Sequence, residues 1–247
     1  MKKLLPIFLL LQALPAGAAE GLVSGVSQDI IQITSNYTGS DIVVFGDIEG
    51  QQSAAGRDIV VVVRGPDTDI VVRRRDRVAG IWINHDAANF SGMPGYYYLA
   101  STRPLPAIAG ASALAPYGIG LQNLQPDVVH SHHDYEPFRQ AALRYLGREK
   151  LYAEAPGGVE FLSDTLFRAH VPLPASVARG QYNVEVFLFR GGVIESAQST
   201  PLFIDQTGLE RRLYNFARES PLSYGLAAVL MAVIMGWLSS VIFRRPA

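Results

Sequence analysis

Three of the five histidines lie within four positions, in the string His130-Ser131-His132-His133-Asp134. Imidazole and carboxylate donors grouped this way suit Zn²⁺, Cu²⁺ or Ni²⁺. On an extended segment His130 and His132 share a side while His133 points away, so a full ligand set needs His85, His170 or a further carboxylate. The competing reading is a solvated loop ahead of a helix, capped by Asp134. The expectation is no resident cofactor, with a transition metal on His130, His132, His133 and Asp134 as the alternative.

The second chemical string is Arg73-Arg74-Arg75-Asp76-Arg77. On a strand, Arg73, Arg75 and Arg77 project to one side and Arg74 to the other. Grouped guanidinium ions bind sulfate, sulfite, phosphate or carboxylate. Against this stands a charged edge strand that discourages aggregation, its arginines paired with Asp67, Asp69 and Asp76. The setting makes the patch distinctive, because residues 20–209 carry 14 basic and 20 acidic side chains.

Motifs for catalysis are missing. There is no cysteine, no Gly-x-Ser-x-Gly elbow, no phosphate-cradling Gly-Lys-Ser/Thr and no His-Glu-x-x-His. The sequence therefore predicts a non-enzymatic protein with no catalytic residues. A net charge of −1 argues against nucleic-acid binding, and 49% hydrophobic residues exclude a disordered chain.

The elements that would position these strings are mostly strands. Asp29–Thr34, Asp41–Phe45, Asp58–Arg64, Ile70–Arg75, Val78–Asn84 and Tyr96–Ser101 recur every ~10–15 residues, separated by Gly, Pro, Asn and Asp. Val159–Leu162, Leu166–Val171, Gly180–Phe189, Val193–Ala197 and Leu202–Asp205 follow. This pattern predicts a mainly β protein with an immunoglobulin-like sandwich of one or two modules. Gly180-Gln181-Tyr182 entering a strand resembles a tyrosine corner, with Pro94-Gly95-Tyr96 a weaker copy, and Gly191-Gly192 predicts a hairpin turn. Residues 105–152 read as a helical insertion or bridge. Its amphipathic part starts at Glu136-Pro137, carries Phe138, Ala141, Ala142, Leu143 and Tyr145-Leu146 at approximately helical spacing, and closes at Gly147.

Both ends are apolar. Met1-Lys2-Lys3, the stretch Leu4 to Leu14 and the small residues up to Ala19 read as a signal peptide, cleaved after Ala19 or Ala18. Its core would span only ~17 Å as a helix. Leu222 to Phe243 carries no charge and gives roughly 33 Å of helix, enough to cross a bilayer. Ala228, Ala232, Gly236 and Ser240, four apart, form a small-residue face suited to helix–helix packing. With Arg244 and Arg245 held inside, the bulk of the chain is expected in the periplasm and residues 244–247 in the cytoplasm. The expected segments are 1–19 signal peptide, 20–104 β-sandwich module, and 105–152 helical insertion or bridge. Then come 153–207 as strands completing the sandwich or forming a second module, 208–221 as a juxtamembrane helix, and 222–243 as the transmembrane helix.

Several strings together resemble one family. They are Val60-Val-Val-Val-Arg-Gly-Pro66, Val72-Arg73-Arg74-Arg75, Arg77-Val-Ala-Gly-Ile-Trp-Ile-Asn84, Pro94-Gly-Tyr-Tyr97 and Ser101-Thr-Arg-Pro-Leu105. Leu166-Phe-Arg168, Gly180-Gln-Tyr182, Tyr224-Gly225 and Gly236-Trp237 complete the set. The chain resembles the alphaproteobacterial putative transmembrane protein family over most of its length. The resemblance implies no activity and no catalytic residues. It implies a sulfite-exporter-type permease, or another inner-membrane protein, as partner.

The expectation for function is a single-pass inner-membrane protein, acting as a periplasmic accessory or assembly subunit beside a transporter or envelope complex. The transmembrane helix would self-associate or dock on the partner. The alternative is a periplasmic sensor or binder of an oxyanion or transition metal.

Overall fold

The computed structural model describes residues 21–34, 36–49, 56–78, 80–130, 135–206, 214 and 216–242. The expected signal peptide, His132, His133, Asp134 and the tail 244–247 lie outside the described residues. So does half of the expected juxtamembrane helix 208–221, of which residues 214, 216–219 and 221 are described and helical.

In chain order the strands are β1 (Gly21–Val26), β2 (Ile30–Ile33), β3 (Gly39–Glu49), β4 (Arg57–Arg64), β5 (Asp67–Val78), β6 (Ile81–Pro94) and β7 (Tyr97–Ser101). Two single-turn helices, α1 (Leu105–Ile108) and α2 (Ala111–Leu114), lead to β8 (Asp127–His130), α3 (Glu136–Arg148) and β9 (Tyr152–Pro156). Strands β10 (Val159–Phe161), β11 (Leu166–Pro174), β12 (Gly180–Arg190) and β13 (Val193–Gln206) precede α4 (Pro221–Ile242).

The protein is mainly β. A four-stranded sheet of order β1-β3-β11-β10 is antiparallel throughout, and a six-stranded sheet of order β2-β13-β12-β4-β7-β9 has parallel pairs at both edges. Strands from before and after the helical segment share both sheets: β3 pairs with β11, and β4 lies between β12 and β7. The segment between β7 and β9 holds α1, α2, β8 and α3, so it includes a strand as well as helices. Such a long connection is what the parallel pairing of β7 with β9 demands, since a tight turn cannot join parallel strands.

The six-stranded sheet is the middle layer. Ile59, Val61 and Val63 of β4 face a core shared with the four-stranded sheet, alongside Ile42, Val44, Phe167, Val171, Val184 and Val186. Val60 and Val62 face a second core, with Tyr97, Leu99, Phe187 and Phe189. Ile108, Leu114, Phe138, Leu146, Ala88 and Phe90 close this second core from the helices and from β6. Coverage on both faces explains the unbroken run Ile59–Val63, every residue of which is buried, where a half-exposed strand would alternate.

Turn chemistry accounts for several connections. Gly191 (φ +57) and Gly192 (φ +86) join β12 to β13 in left-handed conformations, as the hairpin expectation requires. Tyr182 Oη donates to Ala178 O, four residues upstream, at 2.6 Å, which is the corner bond expected of Gly180-Gln181-Tyr182. Tyr96 differs: its Oη donates at 2.6 Å to Pro172 O on β11, tying the two sheets together instead of closing its own corner. The two rings lie 6.0 Å apart, and a Cβ on Gly65 would meet Tyr182 Cε1 at 2.9 Å and Tyr96 at 3.0 Å. Only glycine fits where β4 leaves the sheet.

Helix α3 buries Phe138, Ala142 and Leu146 against the second core and continues past Gly147 to Arg148. Helix α4 has a 20-residue apolar stretch, Pro221–Ser240, of mean hydropathy 1.8, none of which is buried in the rest of the protein.

A protruding arm as the candidate interaction site

The arginine string lies on an arm. Strands β5 and β6 form one long hairpin, where the sequence pattern suggested two shorter strands and a break near Arg75. Its root belongs to the body, because Ile70, Val72, Ala88, Phe90 and Met93 pack into or against the second core. Strand β8 extends this root by pairing Phe90 with Val128 and Ser91 with Asp127. Beyond Val72 and Ala88 the hairpin has only two strands, and most of its described side chains are exposed.

The strand alternation places the arginines as expected. Arg73, Arg75 and Arg77 lie on one exposed face of β5, the edge strand of the three-stranded sheet β5-β6-β8. The register sets Arg77 opposite Trp82, Arg75 opposite Asn84 and Arg73 opposite Ala87, so Trp82 shares the arginine face. The shift from Arg74↔Asp86 to Arg75↔Asn84 leaves His85 as an extra residue on β6, a β-bulge. Arg77 Nε donates to Gly80 O at 3.3 Å, closing the tip. Among the described residues neither Arg73 nor Arg75 has a counter-ion.

Arg74 is on the other face and is structural. Its Nη2 donates to Asp86 Oδ2 at 2.6 Å and its Nε lies 3.5 Å from Asp76. The guanidinium covers the Phe138 ring of α3 at 5.7 Å from the centroid. Of the expected pairings with Asp67, Asp69 and Asp76, the contact between Arg74 and Asp76 is formed among the described residues, while Asp69 accepts from Ser91 Oγ at 2.5 Å.

Of the histidine string, His130 ends β8 with its backbone opposite Asn89 at the arm root, and residues 131–134 lie outside the described part. His170 is exposed on β11 of the four-stranded sheet. Among the described residues no group of three histidine or carboxylate side chains is close enough to hold a metal.

Two polar networks that sequence reasoning missed hold the body around the arm. Asp58 on β4 is buried; it accepts from Arg103 Nε at 2.8 Å, Arg103 Nη2 at 2.5 Å and Thr102 Oγ1 at 2.8 Å. The Arg103 hydrogen bonds hold the Asp58 carboxyl below its ordinary range, against the opposing effect of burial. At the other end of β4, Arg64 pairs with Glu185, donates to Tyr117 O at 2.6 Å and lies over the Tyr97 ring. Tyr97 Oη donates to Gly118 O at 3.1 Å and accepts from Gly120 N at 2.8 Å, and burial pushes its hydroxyl up to about 12. These partners are 21 to 121 residues apart in sequence, which no local pattern reveals.

A cleft of about 490 Å³ lies beside α1, lined by Leu99, Leu105, Leu114, Leu121 and Glu154 among others. Glu154 already accepts Leu121 N there at 2.7 Å. Helix α4 displays Ala228, Ala232, Gly236 and Ser240 to the exterior, and a Cβ on Gly236 would meet nothing within 4 Å.

A family model described as Putative transmembrane protein (Alph_Pro_TM) matches residues 21–245. No curated protein matches the chain.

Proposed function

The chain belongs to this transmembrane protein family, and on that premise we propose a membrane-anchored, non-enzymatic accessory protein of the bacterial envelope. In this reading α4 is the single anchor and the β body stands on the periplasmic side of the inner membrane. The protein serves a neighbouring transporter or envelope complex, for which a sulfite-exporter-type permease is the implied partner. The sandwich is read as immunoglobulin-like on the strength of the Tyr182 corner bond and the two facing sheets. Such scaffolds present loops and edges for recognition on a rigid support.

The observation that carries this reading is the arm. A two-stranded hairpin with an apolar tip and an exposed arginine face protrudes from a body attached to one apolar helix. Large exposed apolar side chains rimmed by charge mark contact surfaces. Export is read from the Lys2-Lys3 and Leu4–Leu14 pattern.

Two experiments test it. A reporter enzyme active only in the cytosol, fused at residue 150, should be silent, and one active only after export should work; the reverse result refutes the placement. Purification in mild detergent should bring down a stoichiometric membrane partner, and a lone monomer throughout would refute the accessory role.

The oxyanion alternative is less well supported by the arm. Successive same-face strand residues stand ~7 Å apart on an open surface, whereas a small oxyanion needs donors that converge. None of the arm's outer arginines lines a described cavity. An extended anionic surface fits them better.

A further inference from the structure

We infer that the tip of the β5–β6 hairpin inserts into the anionic lipid surface of the membrane that α4 spans, with Trp82 in the interface and Arg73, Arg75 and Arg77 against lipid phosphates. The inference rests on the anchor reading above and adds a second membrane contact to it.

The tip has the composition of an interfacial element. Ile81 is 65% exposed, Trp82 68% and Ile83 38%. Trp82 is on the arginine face, and Ile83, opposite Asp76, is on the other. Apolar side chains therefore surround the end of the hairpin instead of covering one side, which suits endwise insertion better than docking of a flat face onto a protein. Trp is the residue most at home at headgroup level, and a tip of this kind sinks roughly 5–10 Å. Arg75 stands ~7 Å behind the Arg77–Trp82 pair and Arg73 as far again. Their long stems let the guanidinium groups reach phosphates while the tip lies deeper.

Charge orients the same contact. Residues 70–87 hold four arginines and two aspartates, whereas the remainder of 20–209 holds ten basic and eighteen acidic residues. An anionic surface repels the body and attracts the arm. Near such a surface each arginine contributes about fivefold in partition.

The tether permits it. Gly180 opposes Ile204 near the end of β13, and a Cβ on Gly180 would meet Pro66 Cγ at 3.0 Å. Pro66 immediately precedes β5, so the arm root lies where β13 ends. From there residues 207–220 lead to α4; five of them are helical, so the link reaches at most roughly 37 Å. The twelve residues of β5 measure ~40 Å. With the tip sunk ~5–10 Å, the bilayer surface lies ~30–35 Å from the arm root, within that reach.

The chain has two tryptophans, Trp82 and Trp237, so each can be isolated. The full-length protein would be reconstituted into phosphatidylglycerol–phosphatidylcholine vesicles carrying lipids brominated at shallow or deep positions. In Trp237→Phe, emission from Trp82 should be blue-shifted and quenched by shallow bromines. That quenching should fall several-fold in pure phosphatidylcholine, at high salt, or in the added Arg73→Ala/Arg75→Ala change. In Trp82→Phe, Trp237 should be quenched by acyl-chain bromines in every vesicle. If Trp237 is quenched and Trp82 remains open to iodide in anionic vesicles, the arm inference is overturned and the anchor stands. Capture of the arm by a cross-linked membrane protein in that case assigns it to protein docking. If Trp237 itself escapes the lipid quenchers, the anchor reading fails and the inference with it.

Discussion

The guanidinium of Arg74 lies over the ring of Phe138 at 5.7 Å while its Nη2 donates to Asp86 on the neighbouring strand at 2.6 Å. One side chain thus joins both strands of the arm to α3. Arg74 is half exposed, so solvent weakens the ion pair, and cation–π contact at such a site contributes about 0.5–1 kcal/mol. Arg74→Ala should lower global stability by no more than about 1 kcal/mol. Its larger effect should be local, as faster amide exchange over residues 70–78 with β12 unchanged. Hydrogen exchange with mass spectrometry reads both.

Tyr182 Oη spans back to Ala178 O from a fully buried ring. Tyr182→Phe keeps the ring and deletes the donor, leaving the Ala178 carbonyl with one partner fewer. The expected cost is about 1–2 kcal/mol, and a lower Tm for the variant measures it. Tyr96→Phe should have a similar effect by releasing Pro172 O on the opposing sheet, and the two changes should not add, because the rings are in contact.

What could be read from sequence followed from local pattern. The strand at Asp58–Arg64, the amphipathic helix opening at Glu136-Pro137, the Gly191-Gly192 turn and the apolar α4 are each written within a few residues. So is the shared face of Arg73, Arg75 and Arg77, because strand alternation survives on β5 even where β6 bulges. The arm as a single hairpin was not legible: arginines and aspartates carry no β signal, and the β5–β6 register comes from cross-strand pairing. The parallel edges β2–β13 and β7–β9 were hidden for a related reason, since they join segments far apart in sequence. Likewise, Asp58 is 45 residues from Arg103, and nothing in either local string announces the pair.

The exposed stripe Ala228, Ala232, Gly236 and Ser240 lets a second helix approach α4 closely. Gly236→Leu puts a large side chain in the middle of that stripe without touching the body, since no described atom lies within 4 Å of the added Cβ. The variant should insert normally and lose the cross-linked or co-purified species formed by the wild type. Retention of that species places the contact on another face of α4.

Acid should act on Asp58 and Glu185 in opposite directions. Arg103 holds the Asp58 carboxyl below its ordinary range, so its contribution is complete above about pH 4 and is lost as pH falls through the lowered value. Burial raises Glu185, with Arg64 only partly opposing, so the folded protein favours its protonated form. Its stabilising effect is present at low pH and fades as pH rises through the raised value. Thermal unfolding between about pH 3 and 7 separates them. The advantage of wild type over Asp58→Asn should shrink toward the acid end. Relative to Glu185→Gln, wild type should instead lose ground as pH increases. Parallel slopes for the two variants would mean that the Arg103 and Arg64 pairs act on their carboxylates alike, contrary to the burial of Glu185 between β4 and β13.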